Sequence, residues 1–204
     1  FCAGGDLKSF KSGFQGGDQG FKDVQTASEM TGLFFDMINS YPKPVLMLAE
    51  GAAMAGGLGL LCTGDIVVVT EDCKFALTET TLGIPPAQIA PFVVQRIGLA
   101  KARRIMLAAT RFTGKEAFEM GLADYLAKDK DELQSIEAEI KKGVLKCAPV
   151  ANAVTKEIVL ATRHLDRKEL VNFAAKGFAE RMLSDEGREG ISSFIEKRKP
   201  VWTK

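Results

Sequence analysis

Hydrophobic and polar positions follow two rhythms along this chain. Met30, Leu33, Phe34, Met37 and Ile38 recur at helical spacing until Pro42 and Pro44 stop the helix. This stripe is expected to face the core or to wall a pocket. Val45–Ala49, Ile66–Val69 and Lys74–Leu77 are instead short, largely apolar runs of the kind that form buried strands. Helical or loop pieces separate them, which is the pattern of an α/β layer. From Gln88 onward the rhythm is helical, through "QIAPFVVQRIG", "AKARRIMLAAT", "GKEAFEMG", "KDELQSIEAEIKKGVLKC", "PVANAVTKEIVLATRHL", "DRKELVNFAAKGFAERML" and "DEGREGISSFIEKRKPVW", with Gly or Pro between them. The predicted architecture is an α/β core over 1–128 followed by a helical region over 129–204. The opening "FCAGG" reads as the tail of a strand entering a turn, so a preceding segment is expected. "SGFQGGDQG", Ser12 to Gly20, is glycine-rich and is expected to be a mobile surface loop.

Composition narrows the function. With 204 residues, 46% of them hydrophobic, the chain can bury the core of one domain. The 27 basic and 26 acidic residues leave a net charge of +1, which argues against a nucleic-acid surface. Cys2, Cys62, Cys73 and Cys147 have no metal-ligand spacing, and His164 is the single histidine, so neither a metal nor a cofactor is expected. Reduced thiols fit the cytoplasm or a comparable compartment. The longest apolar run is broken by Glu50 and several glycines, so no membrane span is expected.

The candidate chemistry lies in "EGAAMAGGLGLLCTGD", Glu50 to Asp65, which has an acid at each end and no charge between. Five glycines and small apolar residues follow a strand-like run and precede another. A helix beginning at Gly56 or Gly57 would present free backbone N–H groups at its first turn, where the helix dipole also favours negative charge. No lysine follows in phosphate-loop spacing, and the pattern is not GxGxxG. A thioester oxygen that becomes an enolate is therefore a better guest than a phosphate. The same glycines would also serve close packing of helix on strand.

Two further stretches join this one. "FCAGGDLK" is a second Gly-rich turn leaving a strand, and "FALTETTLGIPP" places Glu79 between a buried strand and a Gly-Pro turn. Together with "RIGLAKARRIMLAATRFTGKEAFEMGLADYL" and "REGISSFIEKRKPVW", these resemble, in order, the successive signatures of the enoyl-CoA hydratase/isomerase (crotonase) family. The resemblance implies a β-β-α spiral core, here incomplete at its N-terminus, and a C-terminal helical region used for trimerisation. It also implies an acyl-CoA thioester as substrate rather than cofactor, and a homotrimer or hexamer. The compartment would be bacterial cytoplasm, or the mitochondrial matrix in a eukaryote.

Carried over residue by residue, the resemblance implies that the N–H groups of Ala3 and Gly56 hold the thioester oxygen and that Glu79 is the acid/base, with Gly83 four residues on. A second glutamate of straight-chain hydratases falls on Gly59, where this chain has no acid. Lys8, Gly57, Gly59, Lys197 and Lys199 fall at substrate- or CoA-binding positions, the two C-terminal lysines approaching CoA from a neighbouring subunit. "LGIPPAQIAPFVVQRIG" is similar to bacterial hydratases of 3-branched glutaconyl-CoA thioesters, the methylglutaconyl and isohexenylglutaconyl kinds. Such a substrate carries a second carboxylate, for which Gln88, Gln95 and Arg96 are candidates. A glutamate on this apolar stretch should be desolvated, with a raised pKa suited to proton transfer near neutral pH. A hydratase, an isomerase and a non-catalytic CoA-binding subunit all remain compatible with a single carboxylate.

Overall fold

The computed structural model of the chain describes residues 1–6 and 16–203. They divide into two compact units, the first made of Phe1–Asn39 and Val45–Glu137, the second of Ser40–Pro44 and Ala138–Lys204.

The first unit is built on two three-stranded sheets. Among the described residues helix α1 (Gly17–Asn39) comes first, so Gly17–Gly20 lie in its first turn and not in a loop as their composition suggested, while 12–15 of that stretch lie outside the described residues. Strands β1 (Leu46–Ala49), β3 (Ile66–Thr70) and β6 (Tyr125–Ala127) form one sheet in the order β1-β3-β6, all parallel. Val67, Val68 and Val69 are fully buried although neighbouring residues point to opposite faces, so this sheet is covered on both sides. The other sheet has the order β2-β4-β5, with β2 (Ala52–Met54) parallel to β4 (Lys74–Ala76) and β5 (Arg111–Thr113) antiparallel to β4. On the free side of β2, Cys2 pairs in parallel with Ala53 through Cys2 N–H to the Ala52 carbonyl and Met54 N–H to the Cys2 carbonyl, both 2.9 Å. "FCAGG" therefore is a strand end entering a turn.

Between the strands, α2 (Gly56–Cys62) buries Leu58, Leu61 and Cys62, and α3 (Ala90–Leu107) buries Val93, Ile97, Ala102 and Ile105. Gly98, at φ 75, breaks α3 where the sequence placed a boundary between two helical runs. Phe75 stacks on Phe112 across β4 and β5 with ring centroids 5.3 Å apart, and Phe35 meets Phe92 edge-on at 6.0 Å. Phe35 is the apolar residue that α1 buries, whereas Met30, Leu33, Phe34 and Met37 are exposed. The expected core stripe on α1 thus lies on its outer face. Helix α4 (Gly114–Glu119) starts with a capping box, Thr113 Oγ1 accepting from Glu116 N–H and the Glu116 carboxylate accepting from Thr113 N–H.

Helix α5 (Lys130–Val144) runs from the first unit into the second. Helices α6 (Pro149–Ala161), α7 (Arg167–Met182) and α8 (Asp185–Ile195) complete the second unit. The Glu186 carboxylate accepts from Val150 N–H and Ala151 N–H at 3.1 and 2.9 Å, closing the start of α6 with negative charge where the helix dipole favours it. Gly177 leaves room for Val154 beside α7. Trp202 lies over Gly190 and donates its Nε1–H to the Lys146 carbonyl at 3.2 Å. Among the described residues no helix is long and apolar enough to cross a membrane.

Candidate active site

Three parallel chain segments end side by side in the second sheet, and each runs directly into a residue singled out from the sequence. Cys2 leads into the Ala3–Gly4 turn, Met54 through Ala55 into Gly56, and Ala76 through Leu77 and Thr78 into Glu79. Crevices outside the carboxyl ends of parallel strands are where α/β proteins bind ligands.

The first two turns are pressed together. Gly4, at φ +94, is so placed that a Cβ there would lie 3.0 Å from the Met54 carbonyl oxygen, 3.1 Å from Ala55 Cβ and 3.6 Å from Gly56 N. Ala55 is held at φ 50 and ψ −124, a strained backbone for a residue with a side chain. Its N–H is tied to the Ala76 carbonyl at 2.8 Å, and its carbonyl accepts from Leu58 and Gly59 N–H, so both its sides are clamped. Beyond it, Gly56 and Gly57 open α2, and the first N–H groups of a helix have no acceptor inside that helix.

The glycines of α2 differ in what surrounds them. At Gly56 a Cβ would meet nothing within 4 Å, so that position faces open space. At Gly57 a Cβ would run into the Cys2 carbonyl oxygen and come within 2.8 Å of Cys2 Cβ, and at Gly59 it would collide with Cβ and Cγ2 of Ile89. Gly57 and Gly59 are both buried, and packing alone demands a glycine at each. The space that a side chain at position 59 would need is taken by Ile89, which the sequence pattern did not single out.

Glu79 begins a short 3₁₀ turn, Glu79–Leu82, closed by Gly83 in the left-handed region at φ 77. Thr80 Oγ1 donates to the Met106 carbonyl at 3.2 Å and Ile84 N–H donates to the Glu79 carbonyl at 3.2 Å, pinning the turn from both ends. The Glu79 Oε2 atom is buried and has no hydrogen-bond partner among the described residues. Desolvation by the surrounding protein raises its pKa above the ordinary carboxyl value, and a hydrogen bond from its own backbone N–H offsets part of this.

The remaining sequence candidates divide. Gln88 Nε2 donates to Ser28 Oγ at 3.1 Å, Gln95 Nε2 to Asn39 Oδ1 at 3.4 Å, and Arg96 pairs with Asp124 at 3.0 Å while donating to the Gly64 carbonyl at 3.2 Å. All three thus hold the fold together. Lys8 lies outside the described residues. Lys197 and Lys199 are exposed on either side of Arg198, whose guanidinium is gripped by Glu189 through contacts of 2.6 and 2.7 Å. The Cys62 thiol on α2 is pushed up to about 12 by burial, which leaves it no nucleophilic character near neutral pH. Among the described residues no group of acids, cysteines and histidine could hold a metal ion.

Residues 1–204 match the profile of the family described as Enoyl-CoA hydratase/isomerase. The chain belongs to that family. A probable enoyl-CoA hydratase of Bacillus subtilis is 32% identical to it, over 98% of this chain and 76% of the relative. The peroxisomal Delta(3,5)-Delta(2,4)-dienoyl-CoA isomerase of Arabidopsis thaliana is 30% identical, over 100% of this chain and 76% of the relative. Among solved structures, Pseudomonas aeruginosa AtuE superposes with a TM-score of 0.93 at 42% identity, covering 100% of this chain and 78% of that one. The chain therefore has the crotonase fold and is an enzyme of the hydratase/isomerase class.

Proposed function

We propose that the chain adds water across the α,β double bond of an acyl-CoA thioester, of a 3-branched, glutaconyl type. The observation that carries this is the convergence of the Ala3–Gly4 turn, the Gly56 end of α2 and the Glu79 carboxyl, whose Oε2 is buried without a partner among the described residues, at the ends of three parallel segments. Ala3 and Gly56 N–H groups hold the thioester oxygen. Glu79 as carboxylate takes a proton from water while the water oxygen bonds to the third carbon, and negative charge passes onto the thioester oxygen. The protonated Glu79 then returns that proton to the second carbon, so one carboxyl group completes the cycle. Lys8, Lys197 and Lys199 are proposed to meet the CoA phosphates, and no further cofactor enters the reaction.

A second reading, isomerisation, draws support from the same lone carboxyl, because a base that moves a proton between the second and fourth carbons needs no water and no second acid. The isomerase among the relatives points the same way. We further propose a homotrimer or a pair of trimers, in the cytoplasm or the mitochondrial matrix, since Phe178, Met182, Leu183, Phe194 and Ile195 in the second unit are exposed. Straight, branched and glutaconyl acyl-CoA thioesters, with product masses read directly in H₂¹⁸O, test the reaction. Oxygen uptake establishes the hydratase. Double-bond migration without it establishes the isomerase, and tight CoA binding with no turnover across the panel overturns both.

A further inference from the structure

Gly56 and Gly59 stand three residues apart on α2 and so share one face of the helix. That face is open at Gly56 and filled by Ile89 at Gly59. Ile89 is 5% exposed and immediately precedes the first residue of α3, so its side chain is enclosed by protein at the head of that helix. Its N-terminal neighbours lead back through Pro86 and Pro85 to the Glu79 turn, where Ala90 N–H bonds to the Pro86 carbonyl at 3.2 Å and Ala87 N–H to the Pro85 carbonyl at 2.9 Å. Ile89 is thereby held in place by the segment that carries the acid/base.

Three residues of helix rise about 4.5 Å. A thioester whose oxygen meets the Gly56 N–H has its third carbon only a few bonds further on, within that reach. We propose that Ile89 is a specificity-determining residue, an apolar wall that sets how much carbon the substrate can carry at its third position. The proposal rests on the reading of the Gly56–Glu79 crevice as the acyl site. With one apolar wall and one carboxyl, the site takes enoyl thioesters whose β-substituent is a hydrocarbon at the point of contact, any second charge of the acyl group lying elsewhere.

The test is Ile89→Ala and Ile89→Val assayed with crotonyl-CoA, 3-methylcrotonyl-CoA and a 3-ethyl homologue. Shortening the wall should raise the ratio of kcat/KM for the largest substituent over the unsubstituted substrate by about tenfold in Ile89→Ala, and by a few-fold in Ile89→Val, the scale of a methylene in an apolar pocket. If both variants lower kcat/KM for all three substrates in parallel, with the ratio within about twofold of wild type, Ile89 is only core packing and the proposal fails. Should Ile89→Ala not fold, Ile89→Val decides alone. Glu79→Gln in the same assay separates the two levels. Unchanged turnover there removes the reading of the crevice, whereas lost turnover with a flat Ile89 ratio removes only the specificity role.

Discussion

Helices α2 and α7 show opposite ways of making a helix. α2 has seven residues, five of them buried, begins without a side-chain cap and follows the strained Ala55. α7 has 16 residues, a full capping box in which Asp166 accepts from Glu169 N–H and the Glu169 carboxylate from Asp166 N–H, and not one buried residue. A helix as short as α2 is unstable by itself, so its existence depends on what surrounds it. Its glycines at 57 and 59 fit against Cys2 and Ile89 where a side chain would collide. α7 is equipped to stand on local signals, and its apolar positions, Phe173, Phe178 and Met182, are left uncovered in the single chain. At this pair of helices, strain and a missing side-chain cap go with the proposed chemistry, and full capping goes with an exposed face.

That contrast can be broken most forcefully at Gly57. Gly57→Val drives a side chain into the Cys2 backbone, and overpacking against backbone that cannot yield should lower stability by about 3 kcal/mol or more and abolish activity together. Thermal unfolding checks it, and a Tm within a few degrees of wild type would contradict the packing described for α2. Gly56→Val separates function from fold, because its Cβ has open space. The fold should survive with little change in Tm while binding and turnover of the thioester both collapse, by about 10²-fold or more, as for loss of an oxyanion donor.

Glu79→Gln keeps size and removes the proton chemistry. It should lower kcat by roughly 10²-fold or more with CoA-thioester affinity within a few-fold of wild type, as measured by steady-state kinetics and calorimetry. Asp166→Ala, at the other helix, should cost only about 1 kcal/mol, the usual value of an N-cap, and leave kcat unchanged in the assembled protein. The smallest effect has an informative sign. Because burial raises the Glu79 pKa, the folded state favours its protonated form, so the stability that this group contributes is present at acid pH and is lost as pH rises through the raised value. Glu79→Gln should therefore gain in stability relative to wild type as pH is raised from acid to neutral, in urea titrations at each pH, and an equal difference at every pH would refute the desolvation of this carboxyl.

The strands that carry several β-branched or leucine residues were legible in the sequence, and so were the proline stops and the Gly98 break. Strands β2, β5 and β6 were not: each has three residues and, unlike the equally short β4, whose Phe75 and Ala76 run on into Leu77, they sit in stretches read as helical or as loops, and "AAM" has the composition of a helix. The α1 stripe was legible as a helix but not as an outer face, because periodicity tells which residues share a side and not what that side meets. In the candidate site, Ala3, Gly56 and Glu79, which the motifs singled out, lie at the ends of neighbouring parallel segments. Ile89 was not singled out: its role comes from a collision with Gly59 across 30 positions of sequence, and an isoleucine at the head of a helix carries no signal of its own.

The interlock of Gly59 with Ile89 also constrains how such a site can change by descent. An acid at position 59 does not fit this packing as it stands, because the Cβ of any side chain there overlaps Cβ and Cγ2 of Ile89. Trimming Ile89 to alanine removes its methyls but leaves its Cβ in overlap with a Cβ at 59, so an acid there also requires the backbone of α2 or of the segment before α3 to shift. Position 59 is thus locked by where the neighbouring chain runs, and a second carboxylate there calls for a displaced backbone rather than a simple exchange of side chains.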